Sequence, residues 1–167
     1  MTTPAEAPVV VGVDGSPESL AAVEVATVEA ALRHRRLHLV HARAWPPFGV
    51  LASPQMAASF DEACHARAEC LMTAAVARAG DYAPGLPMTT RIVSGAAADV
   101  LVEESRTAVM VVIGRHRTGP FRSLTTGPVE RLLLRRSACP VLVVHAPQTP
   151  RRIDHDRTAG GPVRGIS

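Results

Sequence analysis

Residues 9–13 read VVVGV, an apolar run that is β-branched at all but Gly12. Such a strand has no polar face to turn to water, so both of its faces must be covered. That points to a parallel sheet flanked by helices rather than to a half-exposed antiparallel one. Four more short runs follow: residues 37–42 (LHLVHA), 88–93 (MTTRIV), 109–113 (VMVVI) and 141–144 (VLVV). Pro140 stands before the last, where a missing N–H is tolerable. The segments between the runs have apolar residues at steps of three and four. Ser16-Pro17-Glu18 writes a helix start, with a cap, a proline at the first helical position and an acid in the first turn. The helix it opens is expected to end near Arg35 and to bury Ala21, Val25, Val28 and Leu32. Residues 44–54, with Trp45-Pro46-Pro47, Gly49 and Pro54, read as a loop. A second helix is expected over 57–79, with Phe60, Cys64, Ala68, Leu71 and Ala75 on one face and Gly80 as the residue that ends it. Pro84-Gly85-Leu86-Pro87 is a turn, and residues 97–106 form a short third helix. Val129, Leu132 and Leu133 mark a fourth, ending near Ser137.

Strand and helix alternate throughout, which predicts an α/β fold: an open five-stranded parallel sheet with helices on both faces, Rossmann-like in kind. With 167 residues the chain is expected to form one domain, residues 8–146, followed by a mobile tail, 147–167, that has no periodic apolar signal. Aromatic residues make up only 3% of the chain, so the core must be aliphatic and rich in alanine. The opening MTTPAEAP has neither a basic n-region nor an apolar h-region, and no apolar run reaches membrane-spanning length. Cys64, Cys70 and Cys139 fit no CxxC or zinc spacing, so free thiols in a reducing cytoplasm are expected.

In open parallel sheets ligands bind beyond the carboxyl ends of the strands, where the strand order reverses. Three segments should meet there: Asp14-Gly15-Ser16 after the first strand, Ala42 after the second, and the loop that begins at Gly114 after the fourth. Residues 111–128 (VVIGRHRTGPFRSLTTGP) place a strand, a glycine-bearing loop and a helix N-terminus in succession, which is a candidate anion cradle. They contain neither GxGxxG nor the lysine of a P-loop, and the chain has no lysine at all. Asp14 is either a cap for the first βα turn or a ligand contact.

Other chemistry is not supported. His38 and His41 fall on opposite faces of their strand, and Cys64 and His65 diverge on their helix, so no metal site is expected. No serine sits in GxSxG and no motif pairs a cysteine with a histidine, so no enzymatic activity is expected. Residues 115–136 carry six arginines against Glu130. With so few aromatics to stack bases, they read as a solvated face, and nucleic acid is not expected as a partner.

The stretches VVVGVDGSPES, LVHA, VVIG with its glycine loop, and CPVLVV resemble, in this order and spacing, the universal stress protein family, over residues 8–146. The resemblance implies the five-stranded adenine-nucleotide alpha-hydrolase-like fold and a homodimer through Val141 to Val144. It also implies, for one branch of the family, ATP held by G-x2-G-x9-G-[ST]. An Asp at the Asp14 position then lies by the ribose, backbone at Gly12 and Ala42 lies near the nucleoside, and the glycine loop holds the phosphates. Here the first motif glycine is Gly114 and the third is Gly127, but the second is Arg117 and the Ser or Thr is Pro128. Arg117 brings a Cβ and bulk, and Pro128 offers neither N–H nor hydroxyl. Arg115, His116, Arg117 and Arg122 are the candidates to replace those donors. The expected nucleotide-binding set is Gly12, Asp14, Ala42, Gly114, Arg115, Arg117, Gly127 and Val129, with ATP or AMP as ligand and Mg2+ as its possible companion. The expected function is stress-response regulation by nucleotide binding. The alternative is a nucleotide-free dimeric interaction protein.

Overall fold

The computed structural model describes residues 7–43, 53–115 and 128–145. Nine elements alternate among them: β1 (Val9–Gly12), α1 (Pro17–Leu32), β2 (Leu37–Arg43), α2 (Pro54–Tyr82), β3 (Met88–Ser94), α3 (Ala97–Glu104), β4 (Met110–Gly114), α4 (Pro128–Arg136) and β5 (Val141–Val144). The expected tail, 147–167, lies outside the described residues.

The strands form one parallel sheet in the order β3-β2-β1-β4-β5. The chain builds outward from β1 to β3, then crosses back over β1 to add β4 and β5, so the winding reverses between β1 and β4. Val9 pairs with Leu37 on one side and Met110 on the other, which makes β1 the fully enclosed centre. Its alternate side chains feed two cores. Val9, Val11 and Val13 pack with Leu37 and Leu39 under α1 and α2, and Val10 packs with Val40, Val111 and Ile113 under Leu101 of α3 and Leu133 of α4. The uninterrupted apolar runs are thus explained, because each strand face has its own helical cover.

The helices depart from the sequence pattern in instructive ways. α1 buries Ser19, Ala22, Val23, Ala26, Thr27 and Ala30, while Val28 is 44% and Leu32 71% exposed. Its small alanine face lets the helix backbone lie close to the sheet, so the largest apolar residues are not the buried ones. α1 also stops at Leu32 instead of continuing to Arg35. His34 takes up a left-handed φ of 53°, and its N–H and that of Arg35 donate back to Ala31 and Ala30 (3.1 and 2.8 Å). This is the reversal that glycine usually makes, here built on histidine and therefore without a sequence signal. α2 begins three residues earlier than expected, at Pro54, with Ser53 capping the N–H of Met56. Gly80 does not end it; the helix continues to Tyr82 and the chain turns at Gly85, φ +82°. Phe60 is 39% exposed and Cys64 only partly covered, because the buried residues of α2 begin at Ala68.

Candidate functional site

At the carboxyl end of the sheet, where the winding reverses, a cleft of about 200 Å3 is lined by Gly12, Val13 and Asp14 from β1 and its turn, and by Val40 and Ala42 from β2. Ala97 and Leu101 of α3, Ile113 and Gly114 of β4, and Pro128, Val129 and Glu130 of α4 close it, with Ser19 at the start of α1. Of the residues predicted to bind nucleotide, Gly12, Asp14, Ala42, Gly114 and Val129 therefore line one cleft. Arg117 and Gly127 lie outside the described residues. Arg115 does not line the cleft: its guanidinium donates to His145 Nε2 at 2.7 Å, which ties it to the end of β5. Strand pairing explains that placement, since Arg115 N–H also donates to Val144 O.

The βα turn after β1 is held from within. Asp14 Oδ1 accepts from Ser16 N–H (2.9 Å) and Ser16 Oγ (2.6 Å). Ser16 Oγ in turn accepts from Ser19 N–H (3.1 Å), the α1 cap foreseen in the sequence. Gly15 supplies the positive φ of +81° that closes the turn. Asp14 thus organises the turn and faces the cleft at the same time. Gly114 is fixed by something harder than a ligand. A Cβ there would collide with the Glu18 carbonyl and come within 2.6 Å of Ser19 N, so β4 approaches the first turn of α1 only because this residue lacks a side chain.

The electrostatics are spare. Among the described lining residues the charged side chains are Asp14 and Glu130, both acidic. Glu130 is the third residue of α4, and its Oε2 is buried with no hydrogen-bond partner. Sequence reasoning passed over this residue by weighing it only against the neighbouring arginines. Its position three residues past the last motif glycine, in the first turn of the helix that follows the loop in sequence, was the available signal. Val40, Leu101 and Ile113, the apolar walls, were also missed as site residues. Val40 and Ala42 share a strand face, so the first could have been inferred from the second.

At the other end of the sheet the polar groups are arranged quite differently. His38 Nδ1 and Thr89 Oγ1 are hydrogen-bonded at 2.7 Å, and His38 Nε2 lies 3.6 Å from Glu104 Oε2. Arg91 Nη1 pairs with the second oxygen of Glu104. Burial pushes the His38 imidazole below its ordinary value; Glu104 opposes the shift while Arg91 and Arg36 add to it. Among the described residues no group of three or more His, Cys, Asp or Glu converges as metal ligands. No helix there is long and apolar enough to cross a membrane.

Comparison with known proteins then places the chain. The model of the universal stress protein family matches residues 7–145. The chain belongs to that family. A universal stress protein of Mycobacterium tuberculosis is 35% identical over 149 residues, which is 88% of this chain and 46% of the relative. A second from the same species is 34% identical over 140 residues, 84% of this chain and 46% of its own. This universal stress chain therefore spans about half the length of those relatives. A universal stress protein solved in complex with cAMP is similar over 85% of this chain and 98% of its own, with a TM-score of 0.62 and 28% identity. UspA from Lactobacillus plantarum is similar over 83% and 97%, with a TM-score of 0.71 at 18% identity, a likeness of fold.

Proposed function

We propose that this universal stress domain, residues 8–146, is a stress-response regulatory protein that binds an adenine nucleotide in the cleft at the carboxyl ends of its strands. The observation that carries the proposal is the convergence of Gly12, Asp14, Ala42, Gly114 and Val129, drawn from four separate stretches of sequence, on one cleft with apolar walls. Such a cleft suits a flat base, with Asp14 at its polar rim. The similar universal stress protein solved with cAMP supports the adenine class. Binding would change a surface that partners read. The domain would work in the cytoplasm as a homodimer joined through the edge strand β5, whose residues are only half-buried in the single chain. AMP and ATP, the latter with Mg2+, are the members of that class to be tested. No catalytic turnover is proposed.

The test is to denature the purified protein, identify any released nucleotide by mass spectrometry, and titrate the stripped protein with adenine nucleotides by calorimetry. The expected result is a stoichiometric adenine nucleotide, with binding lost in a folded Asp14→Ala variant. No released nucleotide, and no heat at millimolar ligand, would overturn the proposal. The second reading, a nucleotide-free dimeric interaction protein, is favoured by Arg115 being tied to His145 and by Pro128 having no N–H to offer. Light scattering tests the dimer: a single monomeric species at high protein concentration rules it out.

A further inference from the structure

Among the described residues two side chains have a buried polar atom without a hydrogen-bond partner, Arg43 at Nε and Glu130 at Oε2, and of these Glu130 lines the cleft. Its Oε2 is buried inside the cleft lining and accepts no hydrogen bond. A buried carboxylate oxygen without a donor is costly, and natural folds keep few of them. The carboxylate stands in the first turn of α4, the end of the helix that carries partial positive charge. It therefore occupies, with charge of the protein's own, the position where a helix N-terminus would receive phosphate. Pro128, at the first position of the same helix, has no N–H to add. Asp14 contributes a second acid to the lining, no arginine is among the described lining residues, and Arg115, which follows Gly114, is tied to His145.

We infer that Glu130 makes the cleft selective by phosphate charge, favouring an adenine nucleoside or nucleoside monophosphate over the triphosphate; this rests on the proposal that the cleft binds an adenine nucleotide. A ligand that brings a hydroxyl or amino donor gives Oε2 the partner it lacks. A ligand that brings several phosphate charges meets a like charge at close range in a partly desolvated site, where repulsion is strong. Glu130 is thus a specificity-determining residue, and the structure needs no change elsewhere for it to act.

The experiment is calorimetric titration of the full chain with adenosine, AMP and ATP, in the presence of EDTA so that divalent cations do not mask the phosphates, for the native protein and for Glu130→Gln. The native protein is expected to bind adenosine and AMP more tightly than ATP. In Glu130→Gln the ratio of adenosine to ATP affinity should fall by about tenfold, through a gain for ATP. The native protein supplies a second readout that depends on no variant. Raising salt from about 50 mM to about 500 mM should improve ATP binding relative to adenosine, because salt screens repulsion. An unchanged ratio in a folded Glu130→Gln, or ATP binding that weakens with salt relative to adenosine, overturns the inference and leaves nucleotide binding standing. No heat from any of the three ligands overturns both.

Discussion

The two ends of the sheet treat charge in opposite ways. At the amino end, Glu104 is buried but faces Arg91 and His38, and His38 has Thr89 on its other nitrogen. At the carboxyl end, Glu130 presents a buried oxygen to a cleft with nothing to receive it. Paired groups fasten β2, β3 and α3 to one another. An unpaired group among apolar walls does no fastening, and a role in recognition remains for it. Both acids belong to helices on the same face of the same sheet, so what separates them is the company each keeps.

Substitutions at the two ends should separate along this line. The largest effect belongs to neither acid. Gly114→Val forces a side chain into the backbone of Glu18, and should destabilise the fold by about 3 kcal/mol or more, read by urea denaturation. Loss of ligand in such a variant would report unfolding rather than a lost contact. Next, Glu104→Ala leaves His38 and Arg91 without their partner. It should cost about 1–2 kcal/mol, since Glu104 is buried but Arg91 is largely exposed and can turn to water. Nucleotide affinity should not move in that variant; if it does, the two ends are coupled and the contrast fails. Asp14→Ala removes the hydrogen bonds from Ser16 in an exposed turn and should cost about 1 kcal/mol, while abolishing nucleotide binding. A thermal melt beside the titration sharpens the comparison, because a small stability loss with a complete binding loss marks a recognition residue.

The smallest effect is that of pH. The His38 imidazole titrates lower in the folded chain than its ordinary 6.5, so the unfolded chain takes up a proton first as pH falls. Its contribution to stability is present above pH 6.5 and is lost as pH falls from there through the folded value. His38→Asn should flatten that part of the curve, measured by denaturation between about pH 8 and about pH 5. A native curve that does not fall in this window would break the account of the amino end.

The sheet was legible because β-branched runs bounded by Gly and Pro admit few other readings. β5 occupies the predicted residues, β1 stops one residue short of prediction, and β4 is shifted by one residue at both ends. The burial of α1 was not legible. Pattern reading assigns the core to large residues such as Leu32, whereas close packing here selects Ala22, Ala26 and Ala30. The end of α1 was hidden because His34 stands where glycine is the usual sign. Gly12, Asp14 and Ala42 could be placed at one end of the sheet because topology alone puts strand ends together. The direction of Arg115 could not be read, since it depends on the pairing of β4 with β5. Glu130 was overlooked because a carboxylate among arginines looks paired until its neighbours are seen.

α2 has one further consequence. It runs for 29 residues, about 44 Å at 1.5 Å per residue, yet its buried residues begin only at Ala68. Arg43, paired with Asp61 at 2.6 Å, ties the early turns to the sheet. One helix should therefore show two lifetimes. Amides near Ala75 and Ala79 should exchange with solvent deuterium only when the whole domain opens, whereas those near Phe60 should exchange through local fraying that leaves the sheet intact.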